Sequence, residues 1–164
     1  MSAYITLTTP MTDQECLLSA LAELGFDRRK VEVHPTAVPL VGYAGDRRDQ
    51  TAHVVIRRQH LGSASNDLGF LSTETGYQAL VSDYDRPRFG PGWLSGLSAR
   101  YRAHWDAKRA RLEAEERRRL EAERQRVVEA QRQAIYDRAR ALGYQVRETR
   151  EGQTIRLALV KRTY

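Results

Sequence analysis

Short segments of alternating apolar and polar residues fill the first half of the chain and predict a sheet. Each segment is bounded by turn-forming residues. The predicted strands are residues 3–8, 31–33, 40–41, 52–56, 68–71 and 76–81. No helix-length connection separates the later strands, so the sheet is predicted to be mainly antiparallel.

A short amphipathic helix is predicted between the first two strands, over residues 13–24. Thr12 followed by Glu15 has the spacing of a capping box. Leucines then recur at helical spacing, and Gly25 marks the end. Cys16 lies beside this leucine stripe and is predicted to be a small core residue rather than a nucleophile.

A much longer helix is predicted in the second half, because residues 97–142 contain neither glycine nor proline. A loop is predicted just before it, around residues 87–92, where prolines and glycines cluster. Both ends of the helix are apolar, but 14 of the 21 residues from Asp106 to Arg126 are charged. A helix of this composition is predicted to project into solvent.

A thin row of apolar residues runs through the charged helix and supplies the candidate partner contacts. Its members recur every seven or eight positions: Trp105, Leu112, Leu120, Val127 and Ile135. One contact per two turns is half of what a coiled coil uses. The row therefore predicts a weak contact, or a helix that docks into the groove of another protein.

A C-terminal β-hairpin is predicted over residues 144–164, with a turn at Glu151 and Gly152. One core is predicted for the sheet, the short helix and this hairpin: Val54, Ile56, Phe70, Leu80, Ile155, Leu157 and Leu159 with Leu17, Leu21 and Leu24.

The long helix either folds back to bring the hairpin to the sheet or runs straight. The second alternative favours a homodimer that exchanges its C-terminal hairpin, because the apolar hairpin face would otherwise be exposed.

The basic charge is concentrated in the second half of the chain. The net charge is +6, yet residues 1–95 carry nine cations and eleven anions. Nucleic-acid binding by the arginine-rich helix is therefore one alternative function. Arginines and glutamates alternate on every side of that helix, whereas a phosphate-binding face would exclude acids. We expect no nucleic-acid partner.

No motif of a known catalytic, metal or cofactor site stands out, and uncharacterised enzyme activity is only a second alternative. The four histidines lack paired metal-ligand spacing, and no phosphate-binding glycine loop is present. Asp67, Asp83 and Asp85 form the one acidic cluster of interest, and turn chemistry explains all three. One cysteine, no apolar run of membrane-spanning length and no leader pattern predict a cytoplasmic protein without a membrane partner.

Several short sequences, in this order and spacing, resemble one family. They are residues 24–26 (LGF), 42–45 (GYAG), 52–56 (AHVVI), 66–70 (NDLGF), 76–83 (GYQALVSD), 93–94 (WL), 143–146 (GYQV) and 154–159 (TIRLAL). The family is the one named for hypothetical chloroplast reading frame thirty-five, from plastids, cyanobacteria and other bacteria. The resemblance covers the chain except for the charged stretch, and typical members look shorter there.

The resemblance implies a small α+β domain without an assigned reaction, and with no catalytic residues to carry over. Bacterial members are often encoded near an AAA+ ATPase of the MoxR-like kind, so such an ATPase is the expected partner. We therefore predict one α+β domain over residues 1–164. In it, residues 105–133 are a charged helical insertion and residues 144–164 form a hairpin that completes a sheet. The predicted function is a non-catalytic protein-binding or adaptor module.

Overall fold

The computed structural model describes residues 2–161 of the 164-residue chain. The chain divides into two compact units, Met1–Ala110 and Arg111–Tyr164. Strands and helices follow in this order: β1 Tyr4–Thr8, α1 Gln14–Glu23, β2 Val31–Val41, β3 Arg47–Ile56, β4 Leu68–Thr73, β5 Gly76–Ser82, α2 Arg86–Phe89, α3 Pro91–Ala141, β6 Tyr144–Glu151 and β7 Thr154–Lys161. A 3₁₀ turn, Arg58–His60, lies between β3 and β4.

The first unit contains a five-stranded sheet of order β1-β5-β4-β3-β2 in which every neighbouring pair is antiparallel. The predicted α+β class with a mainly antiparallel sheet is confirmed. The two short strands predicted at residues 31–33 and 40–41 are parts of one strand, β2. Its pairing with β3 shifts register between Val33 and Val38, which interrupts the alternation that strand patterns rely on.

One face of this sheet packs against α1 and the first turns of α3. The predicted core is confirmed for Leu17 and Leu21 of α1, which follow the helical periodicity. It is also confirmed for Val54, Ile56 and Phe70, which follow the strand periodicity. Leu24 packs against them at the edge. The fully buried members include Leu17, Leu21, Val54, Ile56, Phe70 and Leu97.

Leu80 belongs to a second cluster on the opposite face of the sheet, so its predicted place in the main core is wrong. Successive strand residues point to opposite faces, and Leu80 alternates with the core residues Ala79 and Val81. Leu40 belongs to this second cluster and packs directly over Gly69, which leaves room for it because glycine has no side chain. A Cβ on Gly69 would lie 2.9 Å from a methyl group of Leu40.

Helix α1 starts one residue later than the predicted capping box requires. Asp13, not Thr12, is the N-cap, and its Oδ1 accepts the Cys16 N–H at 2.9 Å. The backbone N–H groups of Thr12 and Asp13 both donate to the Tyr101 hydroxyl of α3, at 3.0 and 2.9 Å. The contact with α3 therefore fixes where α1 begins.

The predicted loop around residues 87–92 is helical instead. Pro87 lies in the first turn of α2, and Pro91 is the first residue of α3. The first turn of a helix leaves its N–H groups without partners in the helix, so proline costs nothing there. Clustered prolines at this place mark two helix starts rather than an irregular segment.

Helix α3 is uninterrupted from Pro91 to Ala141, so the alternative in which it folds back at a central turn is wrong. Its first turns are buried through Leu94, Leu97 and Tyr101. From Arg111 to Gln131 every side chain except Ala114 is exposed. No helix within residues 2–161 is both long enough and apolar enough to cross a bilayer.

The second unit contains the predicted hairpin, in which β6 and β7 pair with each other in a separate two-stranded sheet. The two-residue turn begins at Gly152 with φ of +61°, a conformation that glycine provides at the first position of a type II′ turn. The completion of a sheet by this hairpin stays a prediction. Its predicted residues 162–164 lie outside the described range.

The hairpin contacts the last turns of α3 through one face. Glu148 of β6 accepts hydrogen bonds from Arg132 at 2.8 Å and from the Tyr136 hydroxyl at 3.1 Å. Ile155 and Leu157 lie on the same face as Glu148 and are half-buried.

The shared core of Ile155, Leu157 and Leu159 with the larger sheet stays a prediction. Within the second unit, the hairpin face that carries these residues contacts the last turns of α3. Leu159 is 54% exposed. The exchange of this hairpin between two copies stays a prediction. The exposed apolar surface that favours such an exchange is chiefly that of Leu159.

Replacing Ile56 by alanine should lower the free energy of unfolding by about 2–5 kcal/mol, because the side chain is completely buried in the main core. Chemical or thermal unfolding of the variant measures this. Val33→Ala is the matched control, since Val33 is an exposed residue of the neighbouring strand. Equal stability of the Ile56 variant and the wild type would contradict the core assignment.

Candidate functional site

Three exposed apolar residues of the second unit form the candidate contact surface on α3. Leu112, Leu120 and Val127 are 51%, 53% and 52% exposed. At 3.6 residues per turn they lie within about 80° of one another around the helix. We call these three residues the seam. A row of half-exposed aliphatic side chains on an otherwise charged helix is the type of surface that a partner covers.

The other two predicted contact residues differ from the seam. Trp105 is partly buried and packs against the core of the first unit, so its ring serves the fold. Ile135 is 43% exposed and lies a further 80° or so round the helix from Val127. The structure therefore brings three of the five predicted residues together on one helix face.

Charged residues flank the seam in a regular pattern. Glu113 and Arg117 lie on one flank, and Glu115 and Arg119 lie on the other. All four are exposed. Arg119 also contacts Glu116 within its own helix at 3.8 Å, a separation worth little at such an exposed position.

The hairpin covers the opposite side of the same helix. Arg132, the α3 residue bonded to Glu148, points about 160° away from the centre of the seam. The Arg132 hydrogen bond is the main cause that holds the pKa of Glu148 below its ordinary value. An open groove of about 830 Å³ separates the hairpin turn from α3, and Leu120 lies at its margin.

In the first unit, the carboxylate of Asp67 is a structural centre. Its side chain is 1% exposed. Asp67 Oδ1 accepts the Arg58 N–H at 2.8 Å, and Oδ2 accepts the Val41 N–H at 2.9 Å and Arg57 Nη1 at 2.8 Å. Its carbonyl oxygen accepts the Tyr4 hydroxyl at 2.8 Å. Burial, together with the nearby Asp67 charge, raises the pKa of Tyr4. Asp67 thus ties together strands β1 and β2 and the 3₁₀ turn.

Asp85 is the second buried carboxylate of the predicted acidic cluster. Its Oδ2 accepts the Ser82 hydroxyl at 2.6 Å and the Asn66 N–H at 2.9 Å. Asn66 in turn accepts the Tyr43 N–H at 3.1 Å. The Oδ1 atom of Asp85 is buried without a hydrogen-bond partner. Asp83, the third member of the cluster, is exposed, so only Asp67 and Asp85 are buried.

Arg57 joins Asp67 to Glu32 at the margin of an open groove of about 620 Å³. Its Nε and Nη2 contact Glu32 Oε2 at 2.9 and 2.6 Å. These bonds hold the pKa of Glu32 below its ordinary value. With two carboxylates bound, the guanidinium charge is already neutralised. The groove is lined by Glu32, Val38, Pro39, Val41, Arg47, Arg57, Arg58, Gln59 and Asp67.

The remaining candidates for chemistry have structural roles. Cys16 is buried in the core, as predicted, and burial is the main cause that raises the pKa of its thiol to about 11. His53 Nδ1 accepts the Ser72 N–H at 3.1 Å within the sheet. His104 contacts Glu23 at 2.6 Å. Residues 2–161 contain no group of three or more histidine, cysteine or acidic side chains placed to hold a metal ion.

Sequence reasoning missed the linked contacts of Glu32, Arg57 and Asp67. Their local signal is weak, since Asn66 and Asp67 precede a buried strand as ordinary turn residues do. Comparison with known proteins found no matching family model, curated protein or solved structure. The resemblance to the chloroplast reading frame family therefore stays a prediction.

The Arg57–Glu32 contact should make part of the stability depend on pH. Because the pKa of Glu32 is lower in the folded chain than in the unfolded one, its contribution is complete above about pH 4.5 and is lost as the pH falls through the folded value. Glu32→Gln should therefore lose less unfolding free energy than the wild type between about pH 6 and about pH 3. Glu74→Gln, in the exposed β4–β5 turn, is the control. Parallel acid curves for Glu32→Gln and the wild type would contradict the role of this contact.

Proposed function

We propose that the chain is a non-catalytic protein-binding module that uses the seam on α3 as its contact surface. The carrying observation is the half-exposure of Leu112, Leu120 and Val127 on one helix face. Large apolar side chains in this arrangement fit an amphipathic helix or a groove in another protein. The first unit would act as the stable body that presents α3.

The state of the two buried carboxylates supports a non-catalytic module. Asp67 is held by two backbone N–H groups and one guanidinium, and Asp85 by a hydroxyl and a backbone N–H. Hydrogen bonds of this kind hold strands and turns in place. Both oxygens of Asp67 and the Oδ2 atom of Asp85 are therefore engaged by the fold of the first unit.

The pairing of the arginines favours a protein partner over nucleic acid. Arg132 binds Glu148, Arg119 contacts Glu116, and Arg156 contacts Glu151. A surface that follows a phosphate backbone would concentrate unopposed cations on one side. Here acidic side chains accompany the arginines around the helix and on the hairpin.

The partner class that we propose is an AAA+ ATPase of the MoxR-like kind, which is the expectation from the sequence resemblance. A cytoplasmic setting is part of the same proposal, in keeping with the buried free thiol of Cys16. The seam would bind the ATPase through apolar contacts, and the flanking charges would set the orientation.

Leu112→Asp combined with Leu120→Asp should weaken binding to a purified MoxR-like ATPase by at least about ten-fold, because both changes place charge on the apolar contact. Surface plasmon resonance with the full chain measures the effect. Tyr84→Asp is the matched control, since Tyr84 is 56% exposed and lies in the first unit. Wild-type binding by the seam variant, or no binding by the wild type, would contradict this proposal.

A further inference from the structure

We propose that the seam pairs with the seam of a second copy of this chain, with the two α3 helices antiparallel and centred on Glu116. The inference rests on the proposed function, because it uses the same surface and names what covers it. The second copy and an ATPase would then compete for the same leucines.

The apolar residues match under this symmetry. A two-fold axis through the level of Glu116 exchanges positions that are equally distant from it along the helix. Leu112 and Leu120 are each four residues away, so Leu112 of one copy comes level with Leu120 of the other. Two leucine pairs form, one on each side of the centre. Both leucines are about half exposed in the single chain, so their pairing removes apolar surface from water.

The charges match under the same symmetry. In an antiparallel pair of helices each flank meets the same flank of the other copy. Glu113 of one copy is then two residues, or about 3 Å, from the level of Arg117 of the other copy. On the other flank, Glu115 comes equally close to the level of Arg119. The two leucine pairs are thus surrounded by four contacts between opposite charges.

The pattern continues along the helix and favours the antiparallel direction. Asp106 of one copy also comes two residues from the level of Arg124 of the other copy. This pair lies on the same flank as Glu113 and Arg117. In a parallel pair, each flank meets the opposite flank. Glu113 would then lie two residues from Glu115, and Arg117 two residues from both Arg119 and Glu115, so like charges would face each other more often than opposite charges. Flanking charges of this kind set partner choice and orientation in paired helices.

Three like-charge contacts oppose the dimer. Arg117 and Glu115 each come two residues from the level of the same residue in the other copy, and the two Glu116 side chains meet at the centre, where like charges repel. The contact of each Glu116 with its own Arg119, at 3.8 Å, is too exposed to offset much of this repulsion. The hairpin bonds to α3 through Arg132 and Tyr136, which point away from the centre of the seam. Leu120 and Arg117 line the open groove beside the hairpin turn. A reversible dimer is the expected result.

Charge reversal in trans tests the pairing with the full chain. Arg117→Glu with Arg119→Glu gives an acidic variant, and Glu113→Arg with Glu115→Arg gives a basic one. Each variant alone places like charges on both flanks and should sediment as a monomer at concentrations where the wild type is a dimer. An equimolar mixture should form a one-to-one dimer, with a dissociation constant at least about ten-fold lower than that of either variant alone.

Arg111→Glu with Arg118→Glu is the matched control, because it makes the same change in charge on residues about 140° or more from the centre of the seam. This control should dimerise like the wild type. Three outcomes would overturn the proposal: a wild type that stays monomeric up to about 100 μM, a mixture that associates no more tightly than its components, or a control that loses the dimer as the acidic variant does. A monomeric wild type whose ATPase binding still depends on Leu112 and Leu120 would remove the dimer and leave the proposed function in place.

Discussion

The structure depends on one helix that passes from a buried to a solvated environment without changing its secondary structure. The first turns of α3 are buried by Leu94, Leu97 and Tyr101, while from Arg111 to Gln131 every side chain except that of Ala114 is exposed. Charged side chains cannot be buried without partners, so this part of α3 cannot fold onto an apolar core. The residues of the seam are therefore left at the surface.

The first unit keeps its charges inside a network that the fold itself uses. Asp67 accepts N–H groups from β2 and from the 3₁₀ turn, and Asp85 holds Asn66 and Ser82 in place. Tyr101 of α3 fixes the start of α1 through two backbone N–H groups. These polar groups stabilise the body of the first unit.

Local periodicity is enough to predict the antiparallel sheet, helix α1, the continuous helix α3 and the C-terminal hairpin, since each follows from spacings within one segment. Contacts between distant segments are not predictable in this way. The backbone N–H of Asp13, at the start of α1, donates to Tyr101, 88 residues later, and the second cluster joins Leu80 to Leu40 of another strand. The candidate surface is predicted in part for the same reason. The spacing of seven or eight residues that identifies the seam also includes Trp105, which packs against the core. The symmetric arrangement of charges about Glu116 adds information on the contact surface that this spacing does not contain.

Distances between spin labels in two copies test the central claim, the antiparallel pairing of α3, most directly. One cysteine is placed at Ala114 or at Gln133, in a Cys16→Ala background. Antiparallel helices centred on Glu116 separate the two labels along the helix axis by about 6 Å at position 114 and by about 51 Å at position 133. The account predicts one short and one long distance. Short distances at both positions, or no dipolar coupling between copies at either one, would contradict it.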